Sequence, residues 1–478
     1  MKSSASPALF FLLFLLPATL TAQPASSLAL VRQFPNNHAK DVCPDTLLTL
    51  TFNQAPAPGY TGQIRIYDAA DNKLVDTIDT SVQPVAQNYV IGGANNFHLY
   101  PVLPNGNDAI LYPHHHVLDY NKTYYVQVDA GVIQGSGIPF AGITGNTSWI
   151  FSTKAAPPAA NATRITVAGD SSGDFATVQG AVDFTPAKPD GRMTIFIHKG
   201  LYPEIIYFDG KADITFLGED RNQTILGYAN NDKFNNQQNT TELPTTSAYH
   251  RASFFANHAT NVYFSNLTFI NSTPKGGSQA EALILTGSQN MVSNCTLSSL
   301  QDTVQINGSA YVVNSFIEGD VDFMWGRGPA FFDNCELKSL NRGYYTQIRN
   351  TDANHGFIYK NCTFSTAPGV TGMIISRIDP AGQPPARRGY PFSEVVLLDC
   401  KLGPQFSPEA WHLDGGATTA PSVHFWEYNS TNISDGQPVD MSKRPAYTKQ
   451  LTMDKDADTI KNYRDPTYVL GFTPEKVP

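Results

Sequence analysis

Two aspartates, Asp302 and Asp322, lie 20 residues apart in the segments Gln301-Asp302-Thr303 and Gly319-Asp320-Val321-Asp322-Phe323-Met324-Trp325-Gly326. Each follows by eight residues an asparagine that opens a short alternating run: Asn294-Cys295-Thr296-Leu297 before the first, Asn314-Ser315-Phe316-Ile317 before the second. If these runs are stacked coils, equivalent positions fall one strand spacing apart, about 4.8 Å. Two carboxylates that close do not both ionise at their ordinary pKa; one keeps its proton while the other stays anionic. Such a pair supplies an acid and a base or nucleophile at one pH. The register alone leaves a ladder of solvated turn aspartates as an equal reading, because turns favour Asp. It also leaves open which aspartate plays which part.

The elements that must position the pair are repeated ones. Asp333-Asn334-Cys335-Glu336-Leu337 continues the 20-residue period, and further copies occur at Asn266-Leu267-Thr268-Phe269, Asn361-Cys362-Thr363-Phe364 and Asp399-Cys400-Lys401-Leu402. A repeat of that length, strand-like inside and turn-like between, with no L-x-x-L-x-L pattern, predicts a parallel β-helix. The one segment with helical character, Phe175 to Phe184, is expected to cap its open end. Cys295, Cys335, Cys362 and Cys400 follow the repeat's Asn or Asp and are expected to be unpaired fillers of one interior stripe; stacked strands rarely offer the geometry for a Cys335–Cys362 bridge. Sequons such as Asn222, Asn266 and Asn361 read as turn or ladder asparagines. The Asn- and Thr-rich stretch 230–244 reads as a long loop.

Upstream the pattern differs. Leu47 to Phe52, Gly62 to Tyr67, Tyr124 to Val128 and Ser148 to Ser152 are short alternating strands between Asn, Gly and Pro turns, which predicts a β-sandwich over 28–154. The small, Pro-bearing stretch 155–163 is the expected linker, and 164–478 the β-helix domain. His114-His115-His116 is expected to be a polar loop, since contiguous side chains on an extended strand point to alternate faces. No Cys or His spacing resembles a zinc site, so no metal and no cofactor is predicted. Lys2 followed by Ala8 to Leu16 and small residues at Ala18 and Ala22 predicts a signal peptide over 1–22, too short an apolar run to span a bilayer. In 478 residues only 15% are charged and 11% aromatic, as suits a turn-rich all-β protein. A formal charge of -9 argues against nucleic acid or an anionic membrane as partner. The expected product is a secreted, monomeric protein, periplasmic or extracellular.

The segments around the aspartates narrow the chemistry. Gln279-Ala280-Glu281-Ala282-Leu283, Gln301-Asp302-Thr303, Gly319 to Gly326 and Ser376-Arg377 come in the order and near the spacing seen in pectin methylesterases. Val167 to Gln179 resembles that family's opening segment, Gly200-Leu201-Tyr202-Pro203-Glu204 its G-x-Y-x-E element, and Pro408 to Trp411 and Glu427-Tyr428-Asn429 its late signatures. The resemblance runs from about 164 to 473. Asn36 to Asp45 resembles, more weakly, the start of bacterial immunoglobulin-like modules fused to secreted enzymes. Together these imply an all-β chain: a right-handed parallel β-helix behind an immunoglobulin-like β-sandwich.

What the resemblance implies for chemistry is hydrolysis of the C6 methyl ester of galacturonate units in homogalacturonan, the backbone of pectin. Asp322 would attack the ester carbonyl and form an acyl-enzyme. Asp302 would protonate the departing methoxide and then activate water. Gln301 and Gln279 would donate to the oxyanion, and Arg377 would hold Asp322 ionised. Tyr202, Ser253, Trp325 and Trp411 are carried over as substrate contacts. The chain departs from the family's Leu-Gly-Arg-Pro-Trp with Ile375-Ser376-Arg377-Ile378-Asp379, which puts Asp379 where an aromatic wall is usual. Arg387-Arg388 reads as a loop, with carboxylate binding as the second reading. A related esterase on a pectic side chain or another acyl ester would keep fold and dyad. A non-catalytic carbohydrate-binding solenoid would not require a like-charge pair.

Overall fold

The computed structural model describes residues 27–135, 140–235, 250–379, 389–414 and 422–475. The expected signal peptide, the greater part of the 230–244 loop and Arg387-Arg388 lie outside the described residues.

From Arg164 onward the chain winds into a parallel β-helix of three sheets, with eleven, nine and eight strands. One coil runs Asn290–Ser293, Thr296–Ser298 and Val304–Ile306; the next runs Ala310–Val313, Phe316–Gly319 and Met324–Gly326. The two coils pair without slippage, residue for residue, in all three sheets. The 20-residue period works because each coil turns at its asparagine. Asn294, Asn314 and Asn334 have φ of 50, 50 and 54°, a left-handed conformation that Asn tolerates better than most residues. Their amides ladder along the axis: Asn294 Nδ2 donates to Asn266 Oδ1 at 2.9 Å and Asn334 Nδ2 to Asn314 Oδ1 at 2.7 Å. Residues just after each turn face inward. Leu297, Ile317, Leu337, Phe364 and Leu402 form one buried interior row. Cys295, Cys335, Cys362 and Cys400 are buried free thiols on the same side, and Cys43 is a fifth.

Helix Val178–Phe184 caps the first coil, buried through Val178, Ala181 and Val182. Thr177 accepts from Gly180 N, and Glu204 accepts from the amides of Val178 and Gln179, so the helix's orphan donors are met. This is not the only helix. Met453–Tyr463 and Pro466–Leu470 lie over the outer face of the largest sheet, where Tyr463, Val469 and Leu470 cover Phe331, Ile358, Val396 and Leu398. The longer one, Met453–Tyr463, is acidic and apolar-poor, with non-helical backbone at Asp456, which obscures a helical period.

The N-terminal sandwich packs Leu30–Phe34, Leu48–Phe52, Asp108–Leu111 and Val102–Asn105 against a five-stranded sheet of Ala39–Val42, Ile150–Thr153, Thr123–Val128, Gln63–Asp68 and Leu74–Asp79. It is not a free appendage. Tyr89, Ile91, Phe97, Leu99 and Tyr112 share a buried cluster with Ile205, Tyr207, Tyr228, Phe255 and Ile284 of the β-helix. Asp45 of the sandwich also accepts from Ala176 N, Thr177 N and Thr177 Oγ1 beside the cap helix.

Candidate active site

Gln301 and Val321 pair across successive coils, so Asp302 and Asp322 stand one above the other. Both aspartates are themselves corner residues, with φ of 64 and 48°. Consecutive side chains in a flat strand would face opposite ways, and the turn at Asp302 removes that conflict for Gln301 and Asp302. Holding two non-glycine residues in this region costs on the order of 1–2 kcal/mol each, strain of a kind that gathers at functional sites. Both carboxyl groups are nearly buried, at 9% and 7% exposure.

Their surroundings differ. Asp322 is gripped by Arg377 from strand Ile374–Ile378: Nε to Oδ1 at 3.0 Å and Nη2 to Oδ2 at 2.5 Å. The guanidinium lies 4.6 Å above the Tyr344 ring and reaches Asp414 at 3.4 Å. Among the described residues Asp302 has no such two-pronged partner; Arg251 Nη2 meets its Oδ2 at 3.4 Å. Burial, then the charge of Glu281, push its carboxyl well above the usual range; Arg251 opposes, Asp322 adds to the rise and Arg349 subtracts from it. Burial and Glu281 therefore favour the protonated form of Asp302, while Asp322 is bonded on both oxygens by Arg377.

Next to the aspartates, Ile284, Gln305, Trp325 and Gln347 form an outward row in register, and the pairing of Thr346 with Ser376 sets Arg377 level with Gln347. Trp325 sits 5.1 Å from the Arg349 guanidinium and 5.7 Å from that of Arg251. Among the described residues, both amide atoms of Gln305, Trp325 Nε1 and Arg349 Nε are buried without hydrogen-bond partners. Buried polar atoms are seldom left so, and here they line the row beside the carboxylates.

Residues 164–470 match the family model described as Pectinesterase. The chain belongs to the pectinesterase family. It is accordingly an enzyme, a carboxylic ester hydrolase, and residues 25–153 in front of the pectinesterase domain match the bacterial Ig-like domain. Pectinesterase 31 of Arabidopsis thaliana is 28% identical over 298 residues, covering 61% of this chain and 89% of the relative. Pectinesterase QRT1 of the same plant is 28% identical over 363 residues, 73% of this chain and 89% of the relative. With Pectinesterase 4, also 28% identical, the chain spans only 45% of the relative's length. The structure of pectin methylesterase from carrot superposes with a TM-score of 0.54 at 21% identity, covering 67% of this chain and 95% of that one. A pectin methylesterase mutant in complex with a hexasaccharide gives a TM-score of 0.50 at 20% identity, over 66% and 98%. These two likenesses bear on the fold.

The pectinesterase domain brings Asp302, Asp322, Gln301, Arg377 and Trp325 together. Gln279 lies on the preceding coil, since Ala280 N donates to Gln301 O at 3.1 Å; its own Oε1 accepts from Ser278 at 2.7 Å. Three expected substrate contacts have buried side chains in this structure. Tyr202 is 2% exposed, with its hydroxyl on His198 O at 2.8 Å. Ser253 is 2% exposed and donates to Ala282 O. Trp411 is 1% exposed, stacks on Phe425 at 4.8 Å and donates from Nε1 to Glu427 at 2.8 Å. All three side chains are part of the interior. Their motifs mark packing positions, and sequence order does not distinguish these from cleft positions.

Asp379 departs from the family pattern, yet its carbonyl accepts from Tyr390 N at 3.0 Å. The Tyr390 ring lies 5.6 Å from Arg349, so an aromatic returns to the site from 11 residues further along. Sequence reasoning missed Arg251, Tyr344, Arg349 and Tyr390, and passed over Glu281 as part of a motif. The readable signal was Glu281, a lone acid in an otherwise apolar strand entry. His114 bonds Asp76 at 2.8 Å, whereas His115 and His116 both reach Asp183, at 3.9 and 3.1 Å. Among the described residues no group of three His, Cys, Asp or Glu is arranged to hold a metal ion.

Proposed function

We propose that the enzyme removes methyl esters from galacturonate units of pectin by way of an acyl-aspartyl intermediate. The observation that carries this reading is the asymmetry of the stacked pair: Asp302 is pushed toward its protonated form, while Asp322 is fixed by both arms of Arg377. Asp322 attacks the ester carbonyl and the oxyanion is met by the amides of Gln301 and Gln279, each such donor being worth about 3 kcal/mol of barrier. Asp302 gives its proton to methoxide, which leaves as methanol. The resulting carboxylate then takes a proton from water as the water opens the mixed anhydride, releasing galacturonate and restoring both aspartates. The orphaned polar atoms of Gln305, Trp325 and Arg349 are suited to sugar hydroxyls and carboxylates, with Trp325 and Tyr390 as apolar walls. The names of the relatives, pectinesterases and pectin methylesterases, point to the same polymer.

The protein acts as a secreted monomer that meets its polymer outside the cytoplasm. Among the described residues no helix is long and apolar enough to cross a membrane. Asp379 favours a second reading, an esterase on a pectic side chain. Methanol release from highly methylated homogalacturonan, compared with branched pectins and other uronate methyl esters, separates the two. Release from the linear polymer is the expected result; release from branched esters alone would replace the first reading with the second.

A further inference from the structure

Arg251 is a cation buried to 5% exposure beside the expected proton donor, and most of its charge is already committed. Nη2 meets Glu281 Oε1 at 2.6 Å and Nε meets Oε2 at 2.9 Å. Nη1 reaches Asp232 at 3.1 Å, and Nη2 touches Asp302 Oδ2 at 3.4 Å. Glu281 is completely buried. Its place in the coil is fixed by Ala280 N on Gln301 O at 3.1 Å and Ala282 N on Thr303 O at 2.8 Å, which set it one coil before Asp302. Glu281, Asp302 and Asp322 are thus a column of three carboxyl groups on successive coils. An arginine grips each end: Arg251 holds Glu281 and Arg377 holds Asp322. The middle carboxyl, Asp302, meets the shared Arg251 through one longer contact, Nη2 to Oδ2 at 3.4 Å.

We infer that Arg251 and Glu281 form a charge-neutral clamp that positions the Asp302 carboxyl group and keeps it a proton donor. The inference rests on the reading of Asp302 as acid and base. Neither clamp residue need touch substrate; both act through Asp302. An unpaired Arg251 at this distance would strip the proton from Asp302, and an unpaired Glu281 could not be buried as a carboxylate. As a pair they give Asp302 a hydrogen-bond donor at a fixed point without a net charge. The groups facing Asp302 are Glu281 from the coil before, Asp322 from the coil after, Arg251 ahead of strand Phe254–Thr260, and Arg349 beyond strand Tyr344–Ile348. Asp232 acts one step removed, through Arg251. Burial and the two acids favour the protonated form; the two arginines oppose it.

The sign of the effect follows. Glu281→Gln removes a negative neighbour and releases Arg251 toward Asp302, so the Asp302 pKa falls and its proton is lost at lower pH. In the profile of kcat/KM for methanol release from methylated homogalacturonan, the alkaline limb of Glu281→Gln is expected to move down by about one pH unit or more. On the old alkaline limb that is roughly a tenfold loss beyond any uniform change. A purely structural role would lower the rate equally at every pH and leave the limb in place, which overturns the inference. If Glu281→Gln does not fold, Asp232→Asn decides. Its carboxylate is 35% exposed and meets the same guanidinium, so a smaller shift in the same direction is expected and an unmoved limb overturns the claim. No methanol from the native chain at any pH would overturn the esterase reading and this inference with it. An active native chain with an unmoved limb overturns this inference alone.

Discussion

A carboxyl group that is to protonate a departing alkoxide must carry its proton at the working pH, and the neighbour that attacks must not. In this site burial and the charge of Glu281 push Asp302 toward its protonated form, and the cations are shared unequally between the two aspartates. Asp322 has Arg377 on both oxygens, and Asp302 has a cation shared with Glu281. Arg377→Lys keeps the charge and loses the fork, so about 10- to 100-fold is expected to go from kcat, with the thermal midpoint little changed. A stopped methanol assay and a melt on one preparation check this. The reverse pattern is expected for Trp411→Phe. Losing the Nε1–H to buried Glu427 costs about 1–3 kcal/mol of stability, and KM stays where it was. At this scale the sequence is readable where the repeat itself carries the residue. Asp302, Asp322 and Gln301 sit at fixed offsets from ladder asparagines, so register alone aligns them. Arg251 and Glu281 are 30 residues apart, and no local pattern marks an arginine ahead of a strand as a partner for a buried acid.

Coils keep their period because every turn is made the same way. Asn314 has φ of 50° and accepts the amide of Asn334, so it answers two demands that alanine meets neither of. Asn314→Ala is expected to cost about 2 kcal/mol, the sum of the left-handed backbone penalty and one hydrogen bond. Asn314→Gly should recover the backbone part and lose only the ladder bond. Denaturant titration of both variants measures the two contributions separately. The recurring Asn made the solenoid legible, since a positive φ, a ladder amide and an inward next residue all follow from one position. The C-terminal helices had no comparable signal. They are held by Tyr463, Val469 and Leu470 on Phe331, Ile358, Val396 and Leu398, a contact that exists only once the sheet has formed.

At the scale of the whole molecule, the sandwich and the solenoid share a core. Phe97 of the sandwich stacks on His250 at 4.1 Å and lies 5.5 Å from Tyr207, both on the β-helix side. The same β-helix wall carries Phe255 and Ile284, one coil before Gln305. Phe97→Ala is expected to cost about 3–5 kcal/mol and to split a single thermal transition into two, read by calorimetry. One unchanged transition would mean that the shared cluster does not couple the domains. The linker composition marked a domain boundary but not the shared core, because interface residues such as Phe97 and Leu99 sit in a strand and turn whose pattern reads as ordinary sandwich core. The cap helix was legible, but not that Asp45 of the other domain binds its first amides.

The central claim is that Asp322 is the attacking group of a pectin methylesterase. Its most direct test is methanol release from highly methylated homogalacturonan by the native chain and by Asp322→Asn, with matched melting curves. Release by the native chain and none above background from a folded Asp322→Asn is the predicted result. Equal release by both proteins would contradict the mechanism.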